Sequence, residues 1–173
     1  MPGFQIAPDF LFCKISPVAV NTSTVETSLF DQVIGLTTLP ANFLQAGTVV
    51  RIRGKGIFSS GGATTKIFKV KIGATVFTFG TYTASGALTN RPFTIDWQGT
   101  LQLAGAAGTM WGNGEILIYE VAGAAPLSVT QFGTTATAID TTVANLIAMT
   151  KTEGTSSAND GTTLQQLTCE ILV

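Results

Sequence analysis

Three carboxylates, Asp96, Glu115 and Glu120, are the residues whose type and placement could support acid–base chemistry. Paired carboxylates can divide the roles of proton donor and acceptor, and these three could approach one another in a folded sheet. The competing reading, which we favour, makes them solvent-face residues or cross-strand partners of lysine and arginine. The rest of the inventory narrows the chemistry further. The chain has no histidine, which removes Ser-His-Asp and Cys-His arrangements and the commonest metal ligand. Its two cysteines, Cys13 and Cys169, stand near opposite ends of the sequence, so no zinc-site spacing exists. Gly54-Lys55-Gly56 is a glycine-flanked lysine in a strand and not a phosphate loop, and there is no GxSxG nucleophile elbow. The expectation is therefore a protein that is not an enzyme and that uses no cofactor and no metal.

Charge placement carries more information than the formal net charge of -1. Arg51, Arg53, Lys55, Lys66, Lys69, Lys71 and Arg91 fall in a stretch, residues 32–95, that contains no acidic residue. Arg51, Arg53 and Lys55 alternate at i, i+2 and i+4, so they share one face of a strand, and Lys69 and Lys71 do likewise on the next. Three explanations compete. Basic strands could pair internally with acidic segments such as the one carrying Glu26 and Asp31. A basic face of Arg51, Arg53, Lys55, Lys69 and Lys71 could dock on an acidic patch of a protein partner. Nucleic acid is the third, and the acidic sequence pI of about 5.2 and the lack of a basic tail weigh against it.

Trp97, Trp111, Tyr82 and Tyr119 could form a sugar-binding platform, although a few aromatics in a sandwich are usually packing residues. Trp97 sits on the dry phase of the best strand and reads as core, whereas Trp111, beside Gly112-Asn113-Gly114, reads as an exposed aromatic near a turn. At the start of the chain, Phe4, Ile6, Phe10, Leu11 and Phe12 are interleaved with Pro2, Pro8 and Pro17. Prolines interrupt regular pairing, so residues 1–20 read as an extended arm, lying along its own domain or reaching onto a neighbouring subunit or another protein.

The elements that position these residues are strands. In residues 93–103, Phe93, Ile95, Trp97, Gly99, Leu101 and Leu103 alternate with Thr94, Asp96, Gln98, Thr100 and Gln102. Strict period two describes a strand with one wet and one dry face; on a helix it would scatter the apolar residues around the circumference. Similar patterns recur at 49–58, 67–72, around Phe77, at 115–121 and at 166–173, with further candidates at 25–34 and 143–151. Cys169 falls on the apolar phase of the last and reads as a core residue. Glycine-rich clusters such as Ser59-Ser60-Gly61-Gly62 and Asn159-Asp160-Gly161 separate them. With no amphipathic helix to make crossovers, the expected fold is all-β, a two-sheet antiparallel jelly-roll sandwich over 21–173 preceded by the arm.

Composition agrees with that class. Charged residues make up 11% of the chain, about half the usual share, and 28 threonines supply much of the polarity. A threonine-rich, charge-poor exterior costs little to desolvate, which suits a protein that works inside an assembly. No apolar run approaches the length of a membrane span, and the start lacks the basic region of a secretory signal, so no membrane association is expected.

Several stretches together resemble a known group. They are Leu39-Pro40-Ala41-Asn42-Phe43-Leu44 leading through Gly47-Thr48 into Val49-Val50-Arg51-Ile52-Arg53-Gly54, then Arg91-Pro92-Phe93-Thr94-Ile95. Asp140-Thr141-Thr142-Val143-Ala144-Asn145 and Thr163-Leu164-Gln165-Gln166-Leu167-Thr168 follow. Over about residues 18–173 this layout resembles jelly-roll virion proteins of tailed bacteriophages, notably capsid decoration (cement) proteins and tail-fibre head domains. The resemblance lies in strand layout and short phrases and carries over no binding residue. It implies a structural virion protein made in the host cytoplasm and located on the capsid surface. Its implied partners are the major capsid protein and further copies of itself, as a homotrimer before a homodimer. The alternative it implies is the receptor-binding head of a fibre or spike that recognises host surface glycans. In the decoration reading the arm buries apolar surface on a neighbour and the basic face orients docking.

Overall fold

The structure, a computed structural model, describes residues 9–14, 18–21, 24–30, 33–35, 37–121, 123–133, 135–155 and 158–172. Those residues contain no helix. Their strands, in chain order, begin with β1 (Asp9–Lys14), β2 (Val18–Asn21), β3 (Thr27–Ser28), β4 (Val33–Gly35) and β5 (Thr38–Leu39). There follow β6 (Val49–Gly61), β7 (Thr65–Ile72), β8 (Thr75–Thr78), β9 (Tyr82–Thr83) and β10 (Ala87–Leu103). The last are β11 (Gly108–Ile118), β12 (Leu127–Phe132), β13 (Thr137–Ile139), β14 (Asn145–Glu153) and β15 (Gly161–Leu172). They form two sheets in which every pairing is antiparallel. The protein is an all-β, two-sheet antiparallel sandwich.

The larger, nine-stranded sheet has the order β12-β11-β10-β6-β15-β1-β4, with β13 beside β11 and β2 beside β15. The six-stranded sheet has the order β3-β14-β7-β8, with β5 beside β14 and β9 beside β7. Side chains alternate between a buried inner face and a wetter outer one: in β6, Val50, Ile52 and Phe58 point inward while Arg51, Arg53 and Lys55 point outward. Strand period two thus decides which residues are left to meet a partner.

Trp97 shows how the core is built. Its side chain is fully buried, the Phe77 ring lies 5.0 Å away between centroids, and Nε1 donates to Gln131 Oε1 at 3.1 Å. The indole rests on glycines. A Cβ at Gly99, Gly112 or Gly114 would come within 2.5, 3.0 or 2.7 Å of it. Gly112-Asn113-Gly114 is therefore not a turn, as its composition suggests, but the middle of β11. The glycines are required by the bulk of the ring opposite. Trp111 sits in the same strand, in register with Thr100 and half-buried, away from any turn.

One other expectation changes. The 25–34 segment is not one strand: β3 joins the smaller sheet and β4 pairs with β1 in the larger. Within the 1–20 segment read as an arm, β1 runs antiparallel to β15 and β4, and β2 pairs with Gly161–Leu164 of β15. The prolines allow this because Pro8 and Pro17 flank β1 and do not interrupt it. The backbone of Phe10, Leu11 and Phe12 thus belongs to the larger sheet, while Phe4 and Ile6 lie outside the described residues.

Candidate functional site

The outer face of the larger sheet carries charged and polar side chains in rows that cross its strands. One row reads Thr168, Arg53, Asp96, Glu115, Thr130 from β15 to β12. The next reads Glu170, Arg51, Gln98, Asn113, Phe132, and on the other side lies Gln166, Lys55, Thr94, Leu117, Ser128. Asp96 is the hub. Arg51 donates to it through Nε at 3.4 Å and Nη2 at 3.2 Å, and Arg53 Nε donates at 3.3 Å. Glu115 Oε1 accepts from Ser128 Oγ at 2.5 Å. Lys55 is exposed and makes no ion pair among the described residues.

Of the three carboxylates singled out in the sequence, Asp96 and Glu115 are direct cross-strand neighbours. Glu120 is elsewhere: it accepts from the Tyr82 hydroxyl and, at 3.0 Å, from the Ser85 N–H. Burial raises the Glu120 pKa, but the hydrogen bonds from Ser85 and Tyr82 outweigh that and hold it below the ordinary carboxylate value. Tyr82 shifts the other way, pushed up by burial and by the bond to Glu120.

The five cations proposed as one docking face do not share a face. Arg51, Arg53 and Lys55 lie on β6 in the larger sheet, Lys69 and Lys71 on β7 in the smaller one. The chain crosses between sheets at residues 62–64, so consecutive strands turn their wet sides in opposite directions. Lys69 and Lys71 bind Glu26, at 2.6 and 3.0 Å, and Thr150 Oγ1 adds a third bond at 3.0 Å. The Lys69 and Lys71 bonds hold the Glu26 carboxyl down at about 2. Internal pairing with the segment of Glu26, one of the three explanations for the basic stretch, is what these two lysines do.

A second polar cluster escaped the sequence reading. Lys66, Lys151 and Glu153 are buried between the sheets, with Lys66 Nζ 2.8 Å and Lys151 Nζ 2.6 Å from the same Glu153 oxygen. Glu153 Oε2 is buried and has no hydrogen-bond partner among the described residues. Burial, opposed by Glu153, lowers the Lys151 pKa, and the Lys66 charge lowers it further. The signal was in the sequence. Lys66 stands in phase with Phe68, Val70 and Ile72, and Lys151 and Glu153 stand in phase with Ile147 and Met149.

The third feature is one end of the sandwich. Backbone bonds from Asn42 N to Thr141 O, Thr141 N to Gly105 O and Gly47 N to Leu101 O join three loops there. A fourth, at Gly73 and Ala74, joins through Gly73 N to Leu146 O. A depression of about 330 Å³ runs between residues 73–75, Ala106 and 138–145. Phe43, Val76, Leu103, Val143 and Leu146 are exposed on these loops and the adjoining strand ends. The chain carries no lysine or arginine between Arg91 and Lys151, and Asp140 is the one charged residue on these loops.

Among the described residues, no group of three or more Cys, Asp or Glu is placed to hold a metal ion. Cys169 is a free thiol at the core, its pKa pushed up to about 12 by burial and by Glu170. Comparison with known proteins finds no matching family model, no matching curated protein and no matching solved structure.

Proposed function

We propose that this protein is a structural virion protein, a capsid decoration (cement) protein that binds the outer capsid surface and stabilises the shell. The observation that carries the reading is the charge-poor loop end with its exposed Phe43, Leu103, Val143 and Leu146. Such a surface loses little on desolvation and gains from apolar burial at about 25 cal/mol per Å², which suits permanent attachment. Isolated exposed hydrophobic residues are ordinary; several on adjoining loops mark an interaction site.

The strand order supports the finer fold reading, a jelly roll. Taking β1 with β2, β3 with β5 and β8 with β9 as interrupted single strands, β1/β2-β15-β6-β10 faces β3/β5-β14-β7-β8/β9. That interleaving matches two Greek keys, with β11 to β13 added beside β10. The partners in this reading are the major capsid protein and other copies of the chain, as a homotrimer before a homodimer. Nucleic acid and membrane are not among them. Among the described residues, Arg51, Arg53, Lys69 and Lys71 already engage carboxylates, which leaves few cations free for phosphate.

The test is co-sedimentation of the purified protein with capsids of the phage that encodes it, with light scattering for the oligomer mass. Saturable binding is expected, weakened at least tenfold by Phe43→Asp with Leu146→Asp. Equal binding by that variant places attachment elsewhere. Localisation to the tail by electron microscopy overturns the decoration reading in favour of a receptor-binding head.

A further inference from the structure

We infer that the outer face of the nine-stranded sheet binds a neutral oligosaccharide laid across β15, β6, β10, β11 and β12, with Phe132 as its stacking platform. Two open depressions on this face, of about 470 and 560 Å³, both border Asp96 and Glu115, and the proposed groove takes in the two together. Five strands at the usual spacing span about 19 Å, enough for a chain of several sugar rings.

The lining has the chemistry sugars need. Gln98, Asn113 and Gln166 present amides that both donate and accept, and none of the three side chains bonds another described residue. Asp96 and Glu115 add acceptors, Arg51 and Arg53 add donors, and Thr94, Thr130 and Thr168 add hydroxyls. Adjacent hydroxyls on a pyranose ring match such planar donor–acceptor groups, while the ring's C–H face needs an apolar surface. Phe132 provides it. The residue is 80% exposed, at the end of the Gln98–Asn113 row, where no packing requirement accounts for an aromatic. The groups stand on strands and Asp96 is already clamped, so binding would order little.

Other occupants fit less well. Across these rows Arg51, Arg53 and Lys55 are balanced by Asp96, Glu115 and Glu170, so the face has no net charge with which to hold nucleic acid or an acidic glycan. A peptide adding as a strand needs a free main-chain edge, whereas the groove crosses strands already paired on both sides through β15, β6, β10 and β11. The inference does not rest on capsid attachment, since the loop end and the sheet face are separate surfaces.

The test uses the full chain in saturation-transfer and shift-perturbation NMR. The probes are maltohexaose, cellohexaose, chitohexaose and mannohexaose, with 3′-sialyllactose, a hyaluronan hexasaccharide and a dT oligonucleotide beside them. At least one neutral probe is expected to bind, with shifts concentrated at residues 94–98, 113–117 and 128–132. Phe132→Ala should weaken binding about fivefold to tenfold, from the worth of an aromatic contact, with an unchanged circular dichroism spectrum. Gln98→Ala should weaken it as well. Failure of every neutral probe, binding of the acidic probes alone, shifts away from the groove, or full affinity in Phe132→Ala would each overturn the assignment.

Discussion

Replacing Glu153 with glutamine removes a carboxylate that both buried ammonium groups touch. Lys66 and Lys151 approach the same oxygen at 2.8 and 2.6 Å, and all three side chains are shut off from solvent. Without the carboxylate, two cations face each other in a dry interior, and removing one partner of a buried ion pair costs about 3–5 kcal/mol. For a domain of this size each kcal/mol moves the melting temperature by about 2–4 °C, so Tm should fall by roughly 6–20 °C. Urea unfolding followed by tryptophan fluorescence reads the same loss as a lower midpoint at unchanged slope, because the exposed surface is the same. The companion variant Lys66→Met, Lys151→Met, Glu153→Leu should recover most or all of the stability, since a packed apolar triad replaces a costly charged one. A loss below about 1 kcal/mol for Glu153→Gln would refute the reasoning, because it would mean that the lysines do not depend on this carboxylate.

Acid stability should report on Glu26. Its folded pKa, about 2, lies below the ordinary 4.5, so the folded state holds fewer protons between those values and stability is lost as pH falls from 4.5 through 2. Screening limits the effect to on the order of 1 kcal/mol, and Glu26→Gln should flatten that part of the acid unfolding curve. Gly56→Ala should cost about 1–3 kcal/mol by overpacking, since a Cβ there would sit 2.3 Å from Thr163 O and 2.6 Å from the Phe93 ring; an unchanged chemical denaturation midpoint would contradict the packing. Asp96→Asn should cost under about 1 kcal/mol, because the carboxylate is more than half exposed, and thermal melts will decide it. In a Cys13→Ser background, Cys169, with its pKa near 12, should resist a thiol-specific disulfide reagent at pH 8 until denaturant is added; rapid native labelling would place the thiol at the surface.

Local pattern decided much of this architecture. The alternation from residue 93 is kept in β10 as far as Leu101, where a register shift leaves Leu103 exposed, and the phases at 49–58, 67–72 and the described part of 166–173 assign the inner faces of β6, β7 and β15 correctly. That works because a strand facing core on one side must repeat every second residue. The same phase placed Lys66, Lys151 and Glu153 inside, although residue type argued for the surface. Only the tertiary structure showed that each cation there has the Glu153 carboxylate to meet.

Other features depended on which strands pair. The sequence could place Arg51, Arg53 and Lys55 on one side of a strand, but only the crossing into the smaller sheet at residues 62–64 turned Lys69 and Lys71 toward the opposite exterior. Glycines at 112 and 114 read as a turn until the indole across β10 explained them. The rows that bring Asp96 beside Glu115, and Gln98 and Asn113 beside Phe132, arise from the register of five strands. Register is set by long-range packing that no local window contains. The absence of histidine and of metal and phosphate motifs was readable in the sequence alone; the depressions on the outer face belong to the folded sheet.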